Sequence, residues 1–521
     1  MNFTLSFNEL MPLAPVMIVA LTAIVVMILI AIKRNHNLIA TTSVVGLNLA
    51  VAYILYTVYL GHTAAISIMG LFMVDSFALF YQVIILIAAL ACCTLSHAYI
   101  ERYKDNREEL YLLMLISTAG AMLMTVSSNF AALFISLELM SIPVYGLVAY
   151  TYQRSKSLEA GIKYLVLSAT ASAMLLMGMA YIYATLGSLS FAGQADDISL
   201  ALMLKETPEQ LMALQTYLPV YETLFQSPVM ILGLGLMIAA IAFKLSLAPF
   251  HKWTPDVYQG APAPIATFLA TVSKVAMIGF LIRYLLTSGV VSIDSIRTII
   301  VIIAVLSILV GNFLAVKQVN LKRILAYSSI AHFGYLLLGL MSVSFLSLTS
   351  INVYVLSYVL TTLGAFGVVT LMSSPYNNQT EAESLADYRG LFWRRPILTA
   401  TLTVMMLSLA GIPLTAGFIG KFMLIMTMVS TQHWFFAAMV IVGSGIGLYY
   451  YLRVMIVMYM TAPVQPSVDA EHNWGQQAGG IMVLFAAFLV ILLGVYPNPM
   501  IELVKGLEIL SPLQIILAKY S

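Results

Sequence analysis

The sequence predicts an all-α polytopic membrane protein of about fourteen transmembrane helices containing two inverted repeats. Three observations carry this reading. Of 521 residues, 61% are hydrophobic and only 9% charged, with a mean hydropathy of +0.97. Apolar runs long enough to cross hydrocarbon, about 20 residues each, recur along the chain. Two of these runs are overlong and carry internal helix breakers. Such a composition excludes an ordinary soluble surface and, at a net charge of +2, gives no basic footprint for nucleic acid.

The expected spans run over 12–32, 37–60, 75–100, 110–127, 129–152 and 157–187. A polar stretch at 188–227 follows, then spans over 228–258, 262–287, 296–316, 321–342, 347–373, 397–430, 433–460 and 477–496. The span at 228–258 contains Pro249 and Pro255; the span at 397–430 contains Gly411, Pro413 and Gly417. Proline removes a backbone donor and clashes with the preceding turn, so both read as interrupted helices. Paired interrupted segments are the sequence sign of inverted repeats, although no literal repeat is visible.

Alternate loops divide the basic residues unequally. Lys33, Arg34, Arg102, Lys104, Arg107, Arg154, Lys156, Lys252, Lys317, Lys322, Arg323, Arg389, Arg394 and Arg395 fall on one side. Lys205, Arg297, Lys505 and Lys519 fall on the other. The positive-inside rule then places both termini away from the cytoplasm. The first apolar segment lacks a basic n-region and reads as a retained span rather than a cleaved signal. Cys92 and Cys93 are adjacent, a spacing that supports neither a disulfide nor a metal cluster, and they read as small buried hydrophobes. No glycine-rich phosphate loop is present, so nothing in the sequence marks a nucleotide or flavin site.

Function is carried by five ionisable residues inside apolar runs: Glu138, Lys163, Lys244, Lys274 and Lys421. A central charge costs roughly 2.5–3.5 kcal/mol on insertion scales, which makes each a candidate for an ion or proton path. Glu138 is the acid in the middle of a span. Lys163 follows on the next span and is expected to approach Glu138 across the hairpin, with Glu159 as a local competitor four residues away. Lys244 and Lys274 lie too deep to reach water by snorkelling, and Lys421 follows the second break. Burial without a counter-ion disfavours a charged lysine, so these residues can release and regain a proton. His251, two helical turns beyond Lys244, suits transfer between lysines, and His332 with Tyr327 marks a continuation. Arg283 and Arg453, near span ends, read as snorkelling or loop-holding residues. The tyrosine cluster Tyr449, Tyr450 and Tyr451 reads as interfacial.

The segment from Lys244 to Ala276, KLSLAPFHKWTPDVYQGAPAPIATFLATVSKVA, resembles the antiporter-like membrane subunits of respiratory complex I. The resemblance extends from LFMVDSFALF through SLELMSIPVYGLVAY, LAYSSIAHFGYLLLGL and SLAGIPLTAGFIGKF to the last span. YQGAPAPIATFLATVSK, a terminal lysine at Lys421, and the end of the chain soon after the last span point to the subunit N branch. The resemblance implies one integral membrane domain over 1–521. Within it lie N-terminal helices 12–100, antiporter-like halves 110–287 and 296–460, and a C-terminal helix and tail 461–521. It also implies that Glu138, Lys163, Lys244, Lys274, Lys421 and His251 form a proton relay driven by quinone reduction elsewhere. NADH, FMN, iron–sulfur clusters and quinone would then bind partner subunits, with no cofactor on this chain. Expected partners are the other membrane and peripheral subunits, adjacent antiporter-like subunits above all, and the lipid of a bacterial inner membrane. Sister cation/proton antiporter subunits share the glutamate and lysine positions, so exchange without redox coupling is the competing reading. A third is a structural membrane subunit whose charges serve helix packing.

Overall fold

Each apolar run becomes a helix whose limits are set by local capping chemistry. The computed structural model describes residues 10–194, 227–342, 345–374, 381–462 and 468–507. Most of the polar stretch at 188–227, and the tail beyond 507, lie outside the described residues. Helices α1 (Ala14–Ile32) and α2 (His36–Tyr59) form the first hairpin, with the Asn35 side chain accepting from Leu38 N at the start of α2. A short antiparallel pair, β1 (Ile66–Ile68) and β2 (Phe72–Val74), precedes α3 (Ser76–Ile100), which Asp75 caps through Ala78 N. Helices α4 (Glu109–Val126), α5 (Phe130–Val148) and α6 (Ser155–Leu186) follow, and α6 stops at Gly187, whose φ of 70° only glycine adopts freely.

Both interrupted helices are present. Helix α7 (Pro228–Leu245) ends where Ser246 takes a left-handed backbone, φ 64°, and the chain resumes as α8 (Trp253–Gly260). Helix α9 (Ala263–Ser288) follows, with a π-turn over Leu269–Ser273 immediately before Lys274. Helices α10 (Asp294–Val316), α11 (Leu321–Leu340) and α12 (Phe345–Met372) lead to the second break. There α13 (Pro396–Ala410) ends at Gly411, φ 84°, and α14 (Ala416–Ser430) restarts on the Thr415 side chain. Helices α15 (Trp434–Tyr459) and α16 (Ala478–Val495) complete the bundle. Among the described residues thirteen helices are long and apolar enough to cross a membrane, and α13 with α14 forms a fourteenth, broken crossing.

Burial separates centre from periphery. Helices α9, α11 and α12 are buried over 94% of their apolar windows, against 28% for α1 and 33% for α16. The first group therefore forms the protein core, and the outer helices turn apolar side chains outward.

Helices α4 to α9 and α10 to α15 repeat one arrangement. Each set makes five crossings, an odd number, so the second set enters from the opposite face. In each set the first two helices cross at a glycine: a Cβ on Gly120 would lie 2.4 Å from Met140 N, and one on Gly311 would lie 2.8 Å from Ala331 N. In each set the asparagine that caps the second helix also bridges the segment after the third: Asn129 with Ser190, and Asn320 with Ser384. The two breaks share the tetrapeptide Leu-Ser-Leu-Ala, residues 245–248 and 407–410. The two strings are three residues out of register, since α7 ends at the first residue of its copy and α13 at the last residue of its own, so the repeat lies in the arrangement of helices and not in a shared sequence.

Candidate functional site: buried lysines at two helix breaks

Lys244, Lys274 and Lys421 are all buried, and none forms an ion pair with a carboxylate among the described residues. Each instead finds neutral oxygen. The Lys244 ammonium donates to Ser141 Oγ (2.9 Å) and Ser168 Oγ (2.8 Å), and Ser168 also bonds the Tyr145 hydroxyl (2.9 Å). Ser141 lies three residues after Glu138 on the same face of α5, so Lys244 and Glu138 are close neighbours. One Glu138 oxygen, Oε1, is buried with no hydrogen-bond partner among the described residues.

Lys274 and Lys421 do equivalent jobs at the two breaks. Lys274 donates to Leu245 O (2.5 Å) and Ser246 Oγ (2.5 Å) at the end of α7. Lys421 donates to Leu409 O (2.7 Å) and Ala410 O (3.0 Å) at the end of α13. The last carbonyls of a helix lack intrahelical partners and carry the negative end of its dipole, so a broken helix inside the bundle offers a cation site without a full countercharge. In the sequence, Lys244 and Lys421 are the lysines carried by the two interrupted spans, 228–258 and 397–430. By geometry Lys421 corresponds to Lys274.

Aromatic and hydroxyl groups fill the space between these sites. The Lys274 ammonium lies 5.1 Å from the Phe333 ring centroid and 5.9 Å from that of Trp253. His332 Nδ1 bonds the Tyr354 hydroxyl (2.5 Å) and Nε2 the Tyr451 hydroxyl (3.1 Å), while Tyr451 also bonds Ser328. Tyr335 sits 5.8 Å edge-on from His332, and the Lys421 ammonium lies 5.6 Å from the Tyr335 centroid. His251 and Tyr327 are buried beside the first break with ring centroids 6.4 Å apart. Sequence reading missed Tyr354, Tyr335, Ser141 and Ser168, and put Tyr451 with the interfacial residues. Tyr449 is exposed as expected, whereas Tyr450 and Tyr451 turn inward, with Tyr450 bonding Asn312.

Lys163 departs from expectation. It does not meet Glu138; its half-exposed ammonium pairs with Glu159 (2.6 Å) and Asp256 (3.1 Å) in a 190 Å³ cleft that Lys156 and Gln259 also line. The local helical pair competes successfully, and α8 brings a second carboxylate that no spacing rule relates to Lys163. Asp256 in turn accepts from Arg323 (2.7 Å) of α11. Burial pushes the Asp256 carboxyl up, but the hydrogen bonds from Arg323 and Lys163 outweigh it and hold it below the usual carboxylate range.

The face that carries the basic loops holds a second charged group. Glu381 and Lys322 are both fully buried and 2.8 Å apart, and Arg154 approaches Glu381 at 2.9 Å and Glu383 at 2.5 Å. Lys322 also donates to Ala261 O (2.6 Å) and Gln259 O (3.1 Å), closing the carbonyl end of α8. Burial alone would raise the Glu381 carboxyl; Lys322 and Arg154 outweigh it and hold it at about 2. Arg283 is not snorkelling. It is buried in a two-pronged pair with Asp75, at 2.8 and 2.7 Å. Arg453 holds a loop as expected, donating to Val316 O and Gln318 O at the end of α10.

Residues 127–447 match the model of the NADH:quinone oxidoreductase/Mrp antiporter membrane family. Over 519 residues, 100% of each chain to the nearest per cent, the sequence is 69% identical to NADH-quinone oxidoreductase subunit N of Acinetobacter baumannii. The chain belongs to the NADH-quinone oxidoreductase subunit N family. Another member of the family, from Psychrobacter arcticus, is 51% identical over 510 residues, covering 96% of this chain and 98% of that one. A chain in the structure of respiratory complex I from Thermus thermophilus with bound aureothin shares 29% identity. It aligns with a TM-score of 0.75, covering 94% of this chain and 100% of its own length. A chain of the Mrp complex from a Dietzia species has a TM-score of 0.77 at 19% identity, covering 96% of this chain and 97% of that chain, a likeness of fold.

Proposed function

We infer that this chain translocates protons as a multi-pass inner-membrane subunit of an NADH-quinone oxidoreductase, within a multisubunit complex. The observation that carries the mechanism is the set of three buried lysines held by neutral oxygens, two of them on the carbonyl ends of broken helices. A carbonyl or hydroxyl steadies an ammonium but does not fix its charge as a buried carboxylate would. Such a lysine can give up its proton when the local field changes.

Glu138 and Lys163 begin the sequence of events. Here Lys163 rests on Asp256 and Glu159, leaving the Glu138 carboxyl to act on Lys244, which is held by Ser141 on the same face of α5 as Glu138. When Lys163 swings to Glu138, the two charges cancel and Lys244 loses its stabilising neighbour. Its proton passes toward Lys274, with His251 and Tyr327 beside the first break, and onward through the His332 and Tyr335 region to Lys421. In this reading 110–287 and 296–460 are the two proton-handling halves, flanked by helices 12–100 and the segment 461–521. Both termini face the periplasm. NADH, FMN, the iron–sulfur clusters and quinone belong to partner subunits, and an adjacent antiporter-like subunit supplies the charge movement that drives Lys163. Full-length identity to redox-complex subunits favours this over cation/proton exchange without redox coupling, because the Mrp likeness bears on fold alone.

The test is the Lys274→Met complex in proteoliposomes, read as protons moved per electron passed to quinone. The expected result is a reduced ratio. A wild-type ratio would overturn the relay, and cation-for-proton exchange in the absence of electron flow would favour the antiporter reading.

A further inference from the structure

Glu381 is the point at which the two repeats, the N-terminal helices and the first broken helix are tied together. Its Oε1 accepts from Ala263 N (3.0 Å), one of the free N–H groups at the start of α9, and from the Tyr99 hydroxyl at the end of α3. Its Oε2 accepts from Lys322 at the start of α11 and forms an ion pair, at 2.9 Å, with Arg154 after α5. Through Lys322 the same carboxylate reaches the carbonyl end of α8. The segment around it is fixed as well: Leu321 N donates to Glu383 O (2.8 Å), Leu385 N to Val319 O (2.9 Å) and Ala382 N to Ser373 Oγ (3.0 Å).

We propose that Glu381 is a positioning residue of the proton path, clamping together the starts of α9 and α11, the helices that carry Lys274 and His332. The proposal rests on the relay reading above. Ala263 and Lys274 are eleven residues apart on one helix, and Lys322 and His332 ten residues apart on the other. At 1.5 Å per residue the clamp lies roughly 15–17 Å behind both groups. A tilt or slip at the clamp therefore reappears as a changed gap between Lys274 and the His332 cluster. The π-turn before Lys274 makes the register of α9 sensitive to where its first turn is held. Three donors and the Arg154 ion pair occupy both oxygens, so the side chain is suited to holding geometry and not to carrying protons. A path of short transfers is intolerant of displacement, since misplacement by about 1 Å can cost 10²-fold.

The experiment uses the whole complex in proteoliposomes with Glu381→Gln and Glu381→Asp. Gln weakens the grip on Lys322 and Arg154; Asp keeps the charge but draws the carboxylate back by one methylene, out of reach of all four partners at once. In either assembled variant the proton-to-electron ratio is expected to fall at least about twofold, while NADH oxidation by a soluble acceptor stays unchanged. A strut without influence on the path would lower yield or heat resistance at a normal ratio. A wild-type ratio in an assembled variant, or failure of both variants to assemble, overturns the proposal. Lys274→Met in the same preparation separates the two readings: if it too pumps normally, the relay has failed, and if it alone loses pumping, only the clamp has failed.

Discussion

Asp75→Asn tests whether a buried charge in this bundle is a strut. Asp75 and Arg283 are 7% and 2% exposed and form parallel bonds of 2.7 and 2.8 Å, while Arg283 Nε donates to Thr125 O (3.0 Å). Asp75 also caps α3 through Ala78 N. Asparagine preserves the cap and nearly the same volume, so the substitution isolates the loss of countercharge. An amide would face a guanidinium that is 2% exposed. Breaking a buried pair from one side costs about 3–5 kcal/mol, raising the population of locally opened molecules by roughly 10²- to nearly 10⁴-fold. Hydrogen exchange on the purified complex should show that loss of protection at the start of α3 and the C-terminal end of α9. Asp75→Asn with Arg283→Met removes the orphaned charge and should restore protection to within about 1–2 kcal/mol of wild type. The ratio of protons to electrons should be unchanged in whatever assembles. Unaltered exchange in Asp75→Asn, or a lowered ratio with normal exchange, would refute the assignment of this pair to structure.

Lys274→Met should carry the opposite signature. It orphans two acceptors, Leu245 O and Ser246 Oγ, at about 1–3 kcal/mol, but also removes an ammonium whose burial costs several kcal/mol, so stability should hold or rise as pumping is lost. Asp256→Asn probes the outer end of the row. A carboxylate whose folded pKa is depressed contributes stability fully above its unfolded value of about 3.9, and that contribution is lost as pH falls through the lower folded value. The wild-type complex should therefore lose heat resistance below about pH 4 by an increment that the Asn variant lacks. The increment should stay under about 1 kcal/mol because Asp256 and Lys163 are 36% and 42% exposed. Equal acid sensitivity of the two proteins would sink this.

The membrane fold was legible because apolar runs, proline and the positions of lysine are properties of single stretches of chain. What each lysine touches is not. Lys163 has a readable partner in Glu159, four residues away, and an unreadable one in Asp256, ninety-three residues on. Lys322 reads as a loop residue because it is the second residue of its helix; it is buried only because residues 381–385 fold across it. Tyr449, Tyr450 and Tyr451 are indistinguishable in composition, yet successive helical positions point 100° apart, and the last two face the interior. Ser141 and Ser168 are two serines among many until α5, α6 and α7 bring them around one ammonium.

Lys274 and Lys322 share a chemistry and differ in one neighbour. Both are buried and both close the carbonyl end of a piece of the first broken helix, Lys274 at Leu245 and Lys322 at Gln259 and Ala261. Lys322 also has Glu381 at 2.8 Å, whereas Lys274 has Ser246 Oγ. A carboxylate at that distance in a dry site stabilises the ammonium and raises the cost of losing its proton; a hydroxyl does so far less. Ser246→Asp should therefore turn Lys274 from a carrier into a strut. Aspartate tolerates the left-handed backbone at this position better than most residues, so the α7 terminus should survive the change. The assembled variant should resist heat at least as well as wild type and pump at least about tenfold more slowly, the rate equivalent of some 1.4 kcal/mol added to proton release. Ser246→Asn, matched in shape but uncharged, should pump much closer to wild type. If both variants fail equally, bulk and not charge is responsible; if Ser246→Asp pumps normally, a missing carboxylate is not what makes Lys274 mobile in its proton.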